Sequence, residues 1–274
     1  MRGCLRWADM LGKLLSFVML RRLCVFTIAS LVLASHAVSA TPSKEFLEAE
    51  RAYSAGDTDK AFSIWKKLSD EGDLDSQYYL ATLYLMIDIP SSEFLRLSEL
   101  GLNPQEFAIP LIEDAAEKNH SDSLTMMASF YESGFADFEI NAALAMKYRE
   151  KAAATGDALA IYNLADILFR RGDKTSKERA YDLYHTAAKK RFVLAFYPMG
   201  YIHFQRQTPE DLVMAYAWFQ AILDWKPTDD VQGVVGQFET LKSNAEIAMG
   251  EIEKTITPDQ VVMAKLVALG LFEE

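Results

Sequence analysis

The chain has 274 residues, half of them hydrophobic and 12% aromatic, with a formal net charge of −11. This composition excludes a globally disordered protein, and the length allows one or two domains with a substantial core. The acidic excess disfavours binding to nucleic acid or to anionic lipid, because both present phosphate charges. We interpret the acidity chiefly as a contribution to solubility.

Residues 1–40 are predicted to form a secretory signal that is removed from the mature protein. Arg21 and Arg22 precede a 12-residue apolar run, Leu23 to Ala34, and the small-residue sequence VSA ends at Ala40. This order is typical of a cleavable signal, and the run is short for a bilayer core of about 30 Å. We therefore expect cleavage after Ala40. The alternative is an uncleaved anchor.

The leader also contains both cysteines, Cys4 and Cys24, so the mature chain is predicted to lack disulfides, cysteine metal sites and thiol nucleophiles. Thr41 stands where a lipid anchor would need a cysteine, which favours a soluble periplasmic protein. The leader holds five of the 28 basic and one of the 39 acidic residues, which leaves 23 and 38 and a net charge of −15. Met19 begins a compact signal by itself and is an alternative start.

A helical repeat runs through the rest of the chain. Five segments end at positions 72, 119, 156, 191 and 226, in steps of 47, 37, 35 and 35. Nine residues after each of the first four ends lies a small residue: Ala81, Ala128, Ala165 and Gly200. Positions −5, −1, 0 and +3 around this residue share one helix face, so a second helix can approach closely there.

The repeat predicts an all-α fold, an α-solenoid of about five helix–turn–helix hairpins with a C-terminal helical cap. The repeat domain is predicted at 41–226 and the cap at 227–274. The predicted hairpins lie near 43–72, 73–119, 120–156, 157–191 and 192–226. At the joints we predict that Ala153 and Ala165 are buried. In the cap, Thr257 and Pro258 begin a clear helix that runs to Gly270.

Two segments, AYSAGDTDKAFSIWKKLSDEGDLDSQYYLATLY and KYREKAAATGDALAIYNLADIL, resemble Sel1-like repeats, relatives of the tetratricopeptide repeat. The resemblance covers roughly residues 45–270, and AYAWFQAIL followed by TPDQ resembles the usual end of bacterial members. It implies protein–protein interaction, as an adaptor or an exported regulator of signalling and envelope processes. Arg191 and Lys226 replace the consensus glycine, so looser turns are expected there. The first step holds about ten extra residues, within 87–104.

Residues suited to catalysis or metal binding are few. His120, His185 and His203 lack ligand spacing, and His203 takes a slot that other copies fill with tyrosine, which predicts a packed core histidine. Ser63 and Lys66 match the Ser-x-x-Lys of penicillin-recognising enzymes, but the companion motifs Ser-Asp-Asn and Lys-Thr-Gly are missing.

We therefore predict a protein that is not an enzyme and has no cofactor or metal. A penicillin-recognising envelope hydrolase is the disfavoured alternative. A structural component of an envelope secretion or polysaccharide machine is a further one.

The first helix of each hairpin carries residues opposite its core stripe, at positions −2, +1 and +5. Four of these twelve residues are Tyr or Met, which suits an adaptable groove for a protein or peptide partner of unknown identity. We predict that they line a concave binding face, which consists of Tyr79, Thr82, Met86, Met126, Ser129, Ser133, Asn163, Asp166, Arg170, Pro198, Tyr201 and Gln205. The alternative is that they rest on the inserted segment or on the terminal helices.

The inserted segment contains SEFLRLSELGL, which has apolar residues every three or four places and predicts a short helix. These residues are Phe94, Leu95, Leu97, Leu100 and Leu102. Our hypothesis is that the segment forms one site with Tyr79, Met86, Met126 and Tyr201. The alternative is that it completes the core of the second hairpin.

Overall fold

The structure is a computed structural model that describes residues 42–226 and 235–272. The predicted signal and the start of the predicted cap, 227–234, lie outside the described residues. Within the described ranges the chain forms thirteen α-helices and no strand. The described residues belong to two compact units. One unit, which we call the repeat unit because it contains the hairpins, comprises residues 42–225 and 240–272, and the other includes Lys226 and residues 235–239.

The helices are numbered in chain order. They are α1 Lys44–Ser54, α2 Thr58–Asp70, α3 Leu74–Met86, α4 Ser91–Glu99, α5 Pro104–Glu117, α6 Ser121–Ser133, α7 Ala142–Ala154, α8 Ala158–Arg171, α9 Lys174–Lys189, α10 Phe196–Arg206, α11 Pro209–Asp224, α12 Val235–Ile252 and α13 Pro258–Gly270.

The helices of the repeat unit pair into five hairpins: α1 with α2, α3 with α5, α6 with α7, α8 with α9, and α10 with α11. Successive hairpins meet where the second helix of one packs on the first helix of the next. The inserted helix α4 follows α3 and precedes α5 in the chain, and α13 packs on α11. The predicted all-α solenoid of about five hairpins with a helical end is thus confirmed.

Three of the four turns between hairpins share one hydrogen-bonded geometry, and at the turn after Gly156 the next amide donates instead to Thr155 Oγ1. Gly72 adopts φ +92°, and the amide of Asp73 donates to the carbonyl of Leu68 at 3.0 Å. Arg191 adopts φ +62°, and the next amide donates in the same way to Ala187 at 3.1 Å. The expectation of a looser turn at Arg191 is therefore wrong. The backbone accepts the less favourable left-handed conformation of a non-glycine residue and keeps the turn.

The joints depend on small buried residues. Ala81, Ala128 and Ala165 are completely buried, as predicted for Ala165. The prediction for Ala153 is wrong: its neighbour Ala152 is buried, and Ala153 remains partly exposed. In an alanine pair, adjacent side chains point about 100° apart around the helix, so one of them faces the contact more directly than the other.

Candidate partner-binding surface

The residues predicted for the concave face lie on α3, α6, α8 and α10, the first helices of hairpins two to five. Helix α6 contacts α8 directly, as expected for first helices that line one side of a solenoid. None of the twelve residues is fully buried, so each retains accessible surface. Their part in binding stays a prediction.

Tyr79 is held mainly by the first hairpin. Its ring stacks on Trp65 with centroids 4.8 Å apart and meets the ring of Phe46 edge-on at 5.5 Å. Its hydroxyl donates to Glu50 Oε1 at 3.5 Å. Burial is the main cause that raises the pKa of the Tyr79 phenol, and the negative charge of Glu50 is the second. Tyr79 therefore joins hairpins one and two and offers a partner only part of its ring.

The hydroxyl residues of the face are occupied within their own helices. Thr82 Oγ1 donates to the carbonyl of Tyr78 at 2.9 Å, and Ser129 Oγ donates to that of Thr125 at 3.1 Å. Ser133 Oγ donates to the carbonyl of Ser129 at 2.9 Å. Their hydroxyl groups are therefore already used as donors, and these residues contribute mainly small side chains to the surface. Met86 and Met126 are half-buried and contribute adaptable apolar surface.

The part of the face on α8 is polar and paired. Arg170 Nη2 lies 2.6 Å from Asp166 Oδ2, while 77% of the Arg170 side chain is exposed. The hydroxyl of Tyr184 donates to Asp166 Oδ1 at 3.5 Å, which ties the carboxylate to α9. Asn163 is half-buried one turn earlier on α8. This section can give register to a bound segment through hydrogen bonds.

Tyr201 and Gln205 on α10 are exposed, with 39% of Tyr201 accessible. The Tyr201 ring contacts Phe169 of α8 edge-on at 6.5 Å. The four apolar residues of the one-site hypothesis are therefore in different surroundings: Tyr79 is in the first joint, and Tyr201 borders hairpins four and five.

The inserted helix α4 is fixed in place by one apolar and one polar anchor. Leu97 is completely buried. At the end of the helix, Gly101 adopts φ +68°, and the amide of Leu102 donates to the carbonyl of Leu97 at 2.9 Å, which closes the last turn.

The polar anchor links α4 to both helices of hairpin two. The hydroxyl of Tyr84 on α3 donates to Glu93 Oε1 at 2.9 Å. Arg96 donates to both carboxylate oxygens of Glu93, at 2.8 and 2.6 Å, and its guanidinium lies over the Phe107 ring of α5 at 5.8 Å. The double hydrogen bond from Arg96 lowers the pKa of Glu93.

Five other large apolar residues of the segment are exposed. We call them the insertion patch, which consists of Ile87, Phe94, Leu95, Leu100 and Leu102, at 48%, 45%, 60%, 59% and 37% exposed. Of the five apolar residues that the sequence placed in the inserted helix, only Leu97 enters the core. The alternative that the segment completes the core of hairpin two accounts for Leu97 alone.

A second apolar surface lies on the last helix. Ala264 and Ala268 of α13 are buried, while the other side forms what we call the terminal face: Val262, Met263, Leu266 and Leu269. These four side chains are between 56% and 65% exposed. The sequence interpretation treated this helix as a cap and missed its exposed face, although the spacing of the apolar residues was visible.

Charge is distributed unevenly among the hairpins. Residues 73–119 of hairpin two carry nine carboxylates against two cations, Arg96 and Lys118, a net charge of −7. Residues 157–191 of hairpin four carry five carboxylates against eight cations, a net charge of +3. The acidic excess is therefore not spread evenly over the solenoid. Four of the nine carboxylates of hairpin two lie in residues 87–106, the segment that carries the insertion patch.

His203 is a core histidine, as predicted. It is buried, with Nδ1 2.7 Å from Asp211 Oδ1 and Nε2 3.3 Å from the hydroxyl of Tyr181, so it connects α9, α10 and α11. His120 caps α6, and its Nε2 lies 2.9 Å from Asp75 Oδ1 on α3. In residues 42–226 and 235–272, no cluster of three or more His, Cys, Asp or Glu residues could hold a metal ion.

The Ser-x-x-Lys pair lies on the exposed side of α2. Ser63 Oγ donates to the carbonyl of Asp59 at 2.9 Å. Lys66 Nζ is 3.5 Å from Asp70 Oδ2. Both side chains are exposed and are directed to partners on their own helix.

The fold is a helical solenoid built from short repeats, and a solved structure shares it. A Sel1 repeat protein from Oxalobacter formigenes is 17% identical, with a TM-score of 0.54 over 84% of this chain and 87% of that one. The chain thus has the fold of Sel1-repeat proteins, as the resemblance of its repeats implied.

A protective antigen of uropathogenic Escherichia coli that displays an SLR fold is 18% identical, with a TM-score of 0.45 over 84% of this chain. The match covers 52% of that protein, so the chain corresponds to about half its length. No family model and no curated protein matches the sequence. No helix in the described part of the chain combines the length and apolar character of a membrane span.

Proposed function

We propose that this protein is an exported, periplasmic scaffold or regulator that binds a protein or peptide through its concave face. Repeat solenoids bind partners over extended surfaces made from successive repeats. The observation that carries the proposal is the insertion patch, which adjoins the predicted face at Met86 and Ile87. Exposed apolar clusters of this kind mark interaction sites on soluble proteins.

Binding is tested by site-specific photo-crosslinking in cells. A photoreactive amino acid at Gln205 or Leu95 should give a discrete crosslinked product, because both positions lie on the proposed surface. The same group at Ser63, exposed on the second helix of hairpin one, is the control. Equal products from all three positions, or none from Gln205 and Leu95, would contradict a specific partner on this face.

Export is tested by the intact mass of the protein in the envelope fraction. A mature chain that begins at Thr41 supports the proposal. A chain that keeps Cys24 and stays with membranes after a carbonate wash argues for the uncleaved anchor.

The non-catalytic part of the proposal is supported by the Sel1-repeat fold and by the setting of Ser63. Labelling with a fluorescent penicillin distinguishes the hydrolase alternative. Labelling of the parent protein that disappears in a folded Ser63→Ala variant would favour that enzyme over the scaffold.

A further inference from the structure

We propose that the insertion patch is the docking surface for a basic amphipathic helix of another protein. Apolar side chains of that helix would sit on Phe94, Leu95, Leu100 and Leu102, and its Lys or Arg side chains would face the surrounding carboxylates. This names the partner class for the scaffold and rests on the proposed function.

The apolar half of the argument is the rigid presentation of the patch. Leu97 is buried and the Glu93–Arg96 pair is tied to Tyr84, so α4 holds one orientation on hairpin two. The four large residues that remain on α4 and its C-terminal turn are outward. An amphipathic helix recognises such a surface by placing its own i, i+3, i+4 and i+7 residues against it.

The charged half of the argument is the uncompensated acidity around the patch. Between 87 and 106 the chain has four carboxylates and one cation, Arg96, whose charge is taken up by Glu93. In the described residues, Asp88, Glu99 and Glu106 have no cation within ion-pair distance, and Glu99 and Glu106 are exposed. A positive partner is attracted to such a site, and a negative one is repelled.

The same charges argue against a symmetric pair of copies. A two-fold interface would place the same patch of both copies face to face. Two copies of residues 87–106, each with four carboxylates against one cation, would then meet, which is unfavourable. The terminal face differs, because Asp259 and Lys265 of opposite sign lie on its helix and charge selects no occupant there. It therefore serves as a matched control surface.

The experiment uses two fluorescein-labelled helical peptides of roughly 18 residues, long enough for several turns. One has leucines at helical spacing and lysines beside them, and the other has glutamates in place of the lysines. Fluorescence anisotropy with the full mature protein should show binding of the lysine peptide, at least roughly tenfold tighter than the glutamate peptide and weakened by salt.

Matched variants locate the site. Leu95→Ser should weaken binding roughly tenfold, as expected for a central apolar contact. Leu266→Ser on the terminal face removes an equally exposed leucine, at 60% for both, and should leave the affinity unchanged. Glu99→Lys with Glu106→Lys should weaken binding and flatten its salt dependence, whereas Glu246→Lys on α12 should do neither. Thermal melts check that each variant is folded.

Each other outcome overturns the inference. Equal binding of both peptides removes the charge argument, and equal loss from Leu266→Ser removes the location. Self-association that Leu95→Ser abolishes would identify a second copy as the occupant. If the parent protein binds neither peptide but crosslinks to a partner in cells, the inference fails while the proposed scaffold function stands.

Discussion

Hairpins two and four differ in their connection while their joints are alike. Residues 87–103 separate α3 from α5, whereas only Gly172 and Asp173 connect α8 to α9. Ala81 and Ala165 nevertheless occupy the same repeat position, and both are completely buried. The comparison shows that the helix contact depends on the small residue and its stripe and not on the length of the loop. The loop can then acquire a function of its own.

The surfaces of the two hairpins differ as much as the loops that connect their helices. Net charges of −7 and +3 within one solenoid mean that its surface is electrostatically polarised. Hairpin two also carries the insertion patch, so apolar and acidic features coincide there. If both hairpins share the same joint but differ in their surfaces, substitutions at the joint should destabilise both hairpins to a similar extent. Substitutions around α4 should affect hairpin two alone.

The largest expected effect comes from overfilling the joint. Ala81→Leu and Ala165→Leu should each destabilise the protein by roughly 1–3 kcal/mol, because a buried contact between two helices has no room for the added methyl and methylene groups. Denaturant unfolding of the two variants measures this.

Ala143→Leu, at an exposed position of α7, is the control and should change stability little. A large loss for Ala165→Leu together with none for Ala81→Leu would mean that the insertion has loosened the joint of hairpin two. The common-joint interpretation would then be wrong.

A smaller effect is expected in hairpin five, where glycine takes the place of alanine. A methyl group at Gly200 would come within 2.6 Å of the ring of Phe219, which is itself buried. Gly200→Ala should therefore destabilise by roughly 1 kcal/mol or more, although alanine is normally the better helix residue.

Gly250→Ala on α12 is the matched control, because the new methyl group meets no atom within 4 Å. It should stabilise by up to about 1 kcal/mol. If Gly200→Ala also stabilises, the ring of Phe219 moves freely and the joint of hairpin five is looser than its geometry indicates.

The positions of the joints could be predicted from the sequence because the same local pattern of small residues recurs in each repeat. A constant offset of nine residues located Ala81, Ala128, Ala165 and Gly200, and the fold followed from it. The choice between Ala152 and Ala153 was less secure, since neighbouring residues differ only in how directly each one faces the contact. Burial of that kind depends on the crossing of two particular helices.

The candidate surface could be predicted only in part. The spacing of leucines in the insertion predicted a helix. Which leucine enters the core depends on how α4 is positioned and rotated against hairpin two, and the sequence does not specify that placement. Tyr79 looked like a groove residue by position, yet Phe46 and Trp65 enclose it. The charge contrast between hairpins was present in the sequence and needed only the hairpin boundaries to be counted.

The smallest expected effect concerns the polar anchor that hairpin two alone possesses. The pKa of Glu93 is lowered from 4.5 because Arg96 donates two hydrogen bonds to the carboxylate. A carboxylate whose pKa is lower in the folded state stabilises the fold above its unfolded pKa and loses that contribution as the pH falls through the folded pKa. The stabilisation is therefore full above about pH 4.5 and is lost in stronger acid.

Thermal melts of the parent protein and of Glu93→Gln across about pH 3 to 7 measure this contribution. Because the side chain of Arg96 is half exposed, at 50%, solvent screens the pair and its worth should stay below about 1 kcal/mol. The parent should be the more stable protein near neutral pH, and the two curves should converge in acid. In an Arg96→Met background only the Tyr84 hydroxyl and the charge of Lys66 still lower the pKa of Glu93. Glu93→Gln should therefore have a smaller pH-dependent effect there than in the parent. Curves that stay parallel down to pH 3 in the parent background would show that α4 is held by Leu97 alone, and that the anchor distinguishing hairpin two from hairpin four is apolar.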